Sequence, residues 1–217
     1  MKYRAVIFDL DGTLLDTIKD IADSMNCVLK KFGLPTYKTE DYYYFVGEGM
    51  ETLCKRVLPP SHNTPSMITR CVKAMKEEYK KRWLNNTVPY PGIPELLNEL
   101  ENKGIKMAVL SNKPDQLTKL LVEKILTGIN FSFILGESPN FPKKPAPDSA
   151  LYIAKYLNIQ AAECIYLGDS DIDMKTANSA GMFAVGALWG FRTARELIQA
   201  GAKKLIRKPQ EIFSILQ

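Results

Sequence analysis

Asp9 and Asp11 stand two residues apart, directly after the apolar run Ala5-Val6-Ile7-Phe8 and directly before Gly12-Thr13. The run has strand length and β-branched character. Side chains alternate along a strand, so Asp9 and Asp11 point to one side and Leu10 to the other. Two carboxylates so placed repel each other unless a cation or a shared proton relieves them. A hard cation such as Mg²⁺, which prefers oxygen ligands, is the natural partner. An isolated Asp-x-Asp is also open to a plainer reading, with Asp9 as a helix N-cap and Asp11-Gly12 as a turn.

Three further polar clusters bear on that choice. Ile105 to Leu110 is a buried-strand pattern that ends in Ser111-Asn112. Phe131 to Leu135 is another, followed by the loop Lys143-Lys144-Pro145. Cys164 to Leu167 ends in Gly168-Asp169, with Asp171 and Asp173 just behind. Each cluster has an ordinary alternative. Ser111-Asn112 could cap the next helix, which is compatible with holding an anion, because a helix N-terminus is itself an anion site. Lys144 could be a solvated surface lysine, and Asp171 and Asp173 a charged first helical turn. Their joint occurrence at successive strand ends argues for chemistry, because the carboxyl ends of a parallel sheet lie along one edge, where ligands bind. The types suit a phosphate monoester. Its dianion must be neutralised, by Mg²⁺ and a lysine ammonium, before a carboxylate can attack it. One carboxylate can then form an aspartyl-phosphate, and a second can protonate the leaving oxygen and later activate water.

The elements that must position these groups alternate strand and helix in the second part of the chain. Helical patterns cover Ile93 to Asn102, Asp115 to Leu126, Asp148 to Leu157, Met174 to Ala180 and Thr193 to Gln199. Phe183 to Ala187 is the last clear strand. Such alternation implies a parallel sheet with right-handed crossovers. Residues from Thr17 to Asn86 read instead as all-helical. Ile18, Ile21, Ala22, Met25, Val28 and Leu29 recur at helical spacing up to Gly33. Thr39 opens another short segment, the aromatic run Tyr42 to Phe45 reads as core, and Val46-Gly47-Glu48-Gly49-Met50 is a glycine-bracketed turn. Lys55 and Arg56 could meet a substrate carboxylate, but read rather as solvated surface. A third helix runs from about Ser66 to Trp83. The expected architecture is an α/β, Rossmann-like parallel sheet core over residues 1–16 and 87–217, with an inserted all-helical cap domain over 17–86.

Composition narrows the field. The chain has 217 residues and a formal net charge of +5, with basic residues scattered rather than gathered in a tail. That excludes nothing anionic and small, and offers no case for nucleic acid. Cys27, Cys54, Cys71 and Cys164 form no Cys-x-x-Cys pair, and His62 is the only imidazole, which argues against zinc and against Ser-His or Cys-His mechanisms. Free thiols, no leader-like segment and no membrane-length apolar run suggest a cytoplasmic protein without a membrane partner. A monomer or a homodimer is expected, and the sequence does not choose between them.

The strings Asp9-x-Asp11-Gly-Thr, Ser111-Asn112, Lys144-Pro145 and Gly168-Asp169-Ser170-x-x-Asp173 resemble all four ordered signatures of the haloacid dehalogenase superfamily. The resemblance implies Asp9 as nucleophile and Mg²⁺ ligand, and Asp11 as general acid/base that also offers the metal its backbone carbonyl. It implies Ser111 and the Asn112 amide as phosphate binders and Lys144 as the group holding Asp9 and the phosphoryl together. Asp169 is implied as a metal ligand and Asp173 as support behind the metal site; Asp171 lies outside the set. The second aspartate of the first signature implies a phosphatase rather than a dehalogenase. The helical insertion, with Val46 to Glu51, Ser111 to Pro114, Lys144 to Pro147 and Ala187 to Phe191, is similar to the phosphoglycolate phosphatases. It nominates Gly47, Glu48 and Gly49 as a turn that closes over substrate, though an ordinary helix-helix turn fits the glycines as well. The implied substrate is a small phosphorylated metabolite, 2-phosphoglycolate first. Pyrophosphatase and β-phosphoglucomutase-like phosphotransferase remain alternatives, as does a non-enzymatic phosphate-binding regulator, which would have no need of Asp11.

Overall fold

The computed structural model describes residues 2–216. It divides into two compact units: Met1–Leu15 with Pro89–Gln217, and Asp16–Val88. Two-residue extended stretches at Leu15–Asp16 and Val88–Pro89 mark where the chain passes from one unit to the other.

The first unit is built on six strands: β1 Ala5–Phe8, β2 Lys106–Pro114, β3 Phe133–Glu137, β4 Cys164–Gly168, β5 Phe183–Ala187 and β6 Lys204–Ile206. They lie in the order β3-β2-β1-β4-β5-β6, all parallel. This is the doubly wound arrangement in which the order reverses at β1 and a crevice opens at its carboxyl end. Every residue of β1 is buried, as a central parallel strand covered by helices requires. Phe8 lies opposite Val109 of β2 and Leu167 of β4, so Asp9, Ser111 and Asp169 follow close behind one level of the sheet, at its carboxyl edge. On one face Ile7, Ala108, Tyr166 and Ala184 pack against Ile153, Met174 and Ala177.

Three details depart from the sequence expectation. Strand β2 does not stop at Leu110 but runs through Ser111 to Pro114, and its register against β3 shifts between Leu110 and Pro114. The helix after β4 begins at Asp171 rather than Met174, because Ser170 and Asp173 form a reciprocal capping box. A sixth strand, β6, follows Phe183–Ala187, the last clear strand in the sequence; three residues headed by an exposed lysine carry too little pattern to be read.

The second unit contains α1 Ile18–Lys31, α2 Tyr42–Phe45, α3 Met50–Val57 and α4 Pro65–Arg82. The six apolar positions of α1 are all buried. Thr64 caps α4 by accepting the Met67 N–H, with Pro65 at the first helical position. The buried Asp20 carboxylate of α1 accepts from Asn86 N–H at 3.0 Å and Nδ2 at 2.7 Å, and from Thr87 N–H at 2.9 Å and Oγ1 at 2.8 Å, so it clasps the segment just before Val88–Pro89 to the first helix. Of the aromatic run, Tyr42 is buried against Tyr37 and Phe45 in edge-to-face contacts, whereas Tyr43 and Tyr44 are exposed, so only part of the run is core. Among the described residues, no helix is long and apolar enough to cross a membrane.

Candidate active site

The carboxyl ends of β1, β2 and β4 and the loop after β3 supply the polar groups. The Asp9 N–H continues the β1–β4 pairing to Leu167 O at 2.9 Å, and the chain then turns sharply as Leu14 and Leu15 N–H return to Leu10 O. Gly12 makes that turn possible at φ +93°, and a Cβ there would come within 2.3 Å of Asp169 Oδ2. The glycine is thus required both by conformation and by the close approach of Asp169.

Lys144 sits at the centre. Its buried ammonium donates to Asp9 Oδ1 at 2.7 Å, Asp173 Oδ1 at 2.7 Å and Leu110 O at 3.1 Å, which uses all three of its N–H bonds. The loop carrying it is fixed by Asn112, whose Oδ1 accepts the Lys144 N–H at 2.9 Å and whose Nδ2 donates to Lys144 O at 3.0 Å. The Asn112 side chain therefore clamps the lysine. Ser111 is buried, and its Oγ accepts from Lys113 N–H at 3.2 Å.

Asp169 has 0% exposure and accepts from Thr13 Oγ1 at 2.9 Å and from Phe191 N–H at 2.8 Å. Asp173 spends one oxygen on Lys144 and the other on the Ser170 N–H and hydroxyl. Asp171 instead pairs with Lys175 on the helix surface at 2.6 Å. Ligand oxygens of Asp9, Asp169 and Asp173 lie within 4.8 Å of one another. Burial, reinforced by the charges of Asp173 and Asp169, holds the Asp9 carboxyl well above its ordinary range despite the opposing Lys144. Burial and then Asp173 push Asp169 up to about 7. For Lys144 burial works against the charge, but Asp173 and Asp9 outweigh it and raise its pKa. Three buried carboxylates facing one ammonium have surplus negative charge and only oxygen donors. That donor set fits a small, oxygen-preferring divalent cation.

Sequence reasoning missed four participants. Lys113 donates from Nζ to both Asp11 oxygens at 2.9 Å, within a pair whose side chains are only 6% and 13% exposed. Thr13 and Phe191 hold Asp169, and a Cβ on Gly190 would fall 2.3 Å from Asp169 Cβ. Thr13 lies in the first signature, Lys113 in the string Ser111 to Pro114 and the last two in the string Ala187 to Phe191; those strings are the signals, but residue type alone assigns none of the four a partner.

Gly47, Glu48 and Gly49 belong to the helical unit. Both glycines adopt positive φ, +123° and +86°, and Gly49 caps α3. Glu48 pairs with Arg56, whose Nη1 also donates to Tyr44 O and Phe45 O at 3.2 Å. Arg56 is exposed, as expected of solvated surface, and it also ties the turn to α3.

A doubly wound parallel sheet whose switch point gathers carboxylates around a buried lysine is the framework of a hydrolase working on anionic esters, and comparison with known proteins agrees. Residues 6–187 match the haloacid dehalogenase-like hydrolase family. A phosphoglycolate phosphatase of Aquifex aeolicus is 33% identical over 192 residues, covering 87% of this chain and 86% of its own. A crystal structure from Lactobacillus delbrueckii subsp. bulgaricus, assigned as a phosphoglycolate phosphatase, superposes with a TM-score of 0.93 at 32% identity, covering 100% of this chain and 99% of that one. A second from Haemophilus somnus gives 0.92 at 26% identity, with the same coverage. The chain belongs to the haloacid dehalogenase-like hydrolases. Within that family it is a phosphatase.

Proposed function

We propose that this phosphatase is a Mg²⁺-dependent phosphomonoester hydrolase that works through an aspartyl-phosphate on Asp9. The observation that carries the reading is the Lys144 bridge from Asp9 to Asp173 beside Asp169. Lys144 holds an Asp9 oxygen at a fixed position on the sheet edge and offsets charge as a phosphoryl group approaches. Asp9 attacks phosphorus; the new Asp9 O–P bond forms as the ester P–O bond breaks, and Asp11 gives its proton to the leaving oxygen. Asp11 then takes a proton from the water that attacks the aspartyl-phosphate, returning Asp9 and releasing phosphate. Asp9, Asp169 and the Asp11 carbonyl would hold Mg²⁺, which supplies charge neutralisation on the phosphoryl oxygens. Asp173, with both oxygens engaged by protein donors, supports that site through Lys144. Ser111 is assigned to the phosphate; Asn112 is assigned to it through its backbone, since its side chain is committed to the Lys144 loop.

The substrate class is a small phosphorylated metabolite, and the names of the Aquifex and Lactobacillus relatives favour 2-phosphoglycolate. Choice among leaving groups is assigned to the Gly47-Glu48-Gly49 turn, whose glycines let backbone approach a ligand closely. The test is parallel steady-state kinetics with Mg²⁺ on 2-phosphoglycolate, pyrophosphate and β-glucose 1-phosphate, before and after exhaustive EDTA dialysis. The expected result is the highest kcat/KM on 2-phosphoglycolate, abolished by chelation and restored by Mg²⁺. A far better turnover of pyrophosphate or the sugar phosphate would move the assignment to those substrates. Full activity after chelation would remove the metal.

A further inference from the structure

Asp9 and Asp11 are each held by a different lysine. Lys144 takes Asp9, and Lys113 takes Asp11. The second pairing has features of a positioning device. Lys113 Nζ lies 2.9 Å from each Asp11 oxygen, a two-point contact that fixes the tilt of the carboxylate as well as its place. The base of the lysine is also held. Its N–H donates to Ser111 Oγ at 3.2 Å, and its carbonyl accepts from Thr118 Oγ1 at 3.2 Å. Gly136 presses against that carbonyl so closely that a Cβ would lie 2.6 Å from it. The Asp11 side chain, so held, is absent from the group of close carboxylates formed by Asp9, Asp169 and Asp173.

We propose that Lys113 is a positioning residue for the reaction. It holds the Asp11 carboxyl away from the metal-binding carboxylates and aimed at the leaving oxygen, so that proton donation and phosphoryl transfer occur on opposite sides of the phosphorus. This rests on the reading of Asp11 as the acid given above. Lys113 acts only through Asp11, so its value depends on how much the leaving group needs a proton. An alkoxide leaving group needs one; a nitrophenolate scarcely does.

The experiment is kcat/KM, which reports phosphoenzyme formation, for a series running from 2-phosphoglycolate through phenyl phosphate to p-nitrophenyl phosphate. It is measured for the unmutated enzyme, Lys113→Met, Asp11→Asn and the double variant. Lys113→Arg, which keeps the charge and a two-point contact, serves as the conservative rescue, and circular dichroism verifies folding. General acid catalysis contributes roughly 10²–10⁴-fold. The loss in Lys113→Met should therefore be at least about tenfold greater on 2-phosphoglycolate than on p-nitrophenyl phosphate. It should shrink toward nothing in the Asp11→Asn background, and Lys113→Arg should recover most of it. An equal loss on all esters, or a loss that adds fully to that of Asp11→Asn, would overturn the proposal. A graded loss in Asp11→Asn with none in Lys113→Met would sink the Lys113 role and leave Asp11 as the acid. No graded loss in Asp11→Asn would remove the acid assignment itself, and the Lys113 role with it. If Lys113→Met does not fold, Lys113→Gln carries the same comparison.

Discussion

Replacing Gly12 by alanine places a methyl group within 2.3 Å of the Asp169 carboxylate, at a φ of +93° that alanine adopts only under strain. Asp169 cannot retreat easily, because Thr13 and Phe191 hold its two oxygens. The Gly12→Ala enzyme should lose roughly 100-fold in kcat/KM, the scale of a 1 Å misplacement, together with much of its affinity for divalent cations; isothermal titration checks the second. The titration of Asp169 gives a pH prediction with a definite sign. Its folded pKa is raised to about 7 from 3.8, so the folded carboxyl binds its proton more tightly than the unfolded one. In the metal-free protein that contribution to stability is fully present below about pH 4 and is lost as pH rises toward 7. A divalent cation must displace the same proton, so its affinity should climb over that window. Thermal unfolding with and without Mg²⁺ should show a larger stabilisation at pH 8 than at pH 5.5. An equal or reversed effect would mean that Asp169 is not the titrating ligand.

At the scale of elements, a buried carboxylate ties the end of the helical unit to its first helix. Asp20 gathers four donors from Asn86 and Thr87. Asp20→Ala leaves them without that acceptor, and the expected cost is about 3 kcal/mol, read as a fall in the urea midpoint. The turn at Gly47 to Gly49 offers a second test. Bulkier residues at positions of φ +123° and +86° should lower kcat/KM on 2-phosphoglycolate more than on an aryl phosphate. Equal losses on both would make the turn a support for the unit's fold. The elements were legible to different degrees for physical reasons. The strands β1, β2 and β4 announce themselves because uninterrupted apolar runs stop at Asp9, Ser111 and Asp169. Helix α1 does so through six buried positions at helical spacing. Strand β6 and the continuation of β2 past Leu110 do not, because Lys204 and the Ser111-Asn112-Lys113 string look like loop; what makes them strand is pairing with a distant neighbour.

For the molecule as a whole, the four separated polar clusters converge because the sheet order places β1 between β2 and β4. Alternation and the strand-end rule were enough to gather Asp9, Lys144, Asp169 and Asp173. They could not reveal that Asn112 spends its side chain on the Lys144 loop, nor that Lys113 crosses 102 positions to reach Asp11, because neither rule says where a side chain finds its partner. The central claim is that the phosphoryl group passes through Asp9, and trapping it there is the most direct test. The enzyme is mixed with substrate in Mg²⁺, quenched in acid during the first turnovers and reduced with borohydride, which converts an aspartyl-phosphate to homoserine. Peptide mass spectrometry then locates the change. Homoserine is expected at position 9, with no trapped residue and no turnover in a folded Asp9→Asn variant. A trapped phosphoryl group on another residue, or substantial turnover by folded Asp9→Asn, would contradict it.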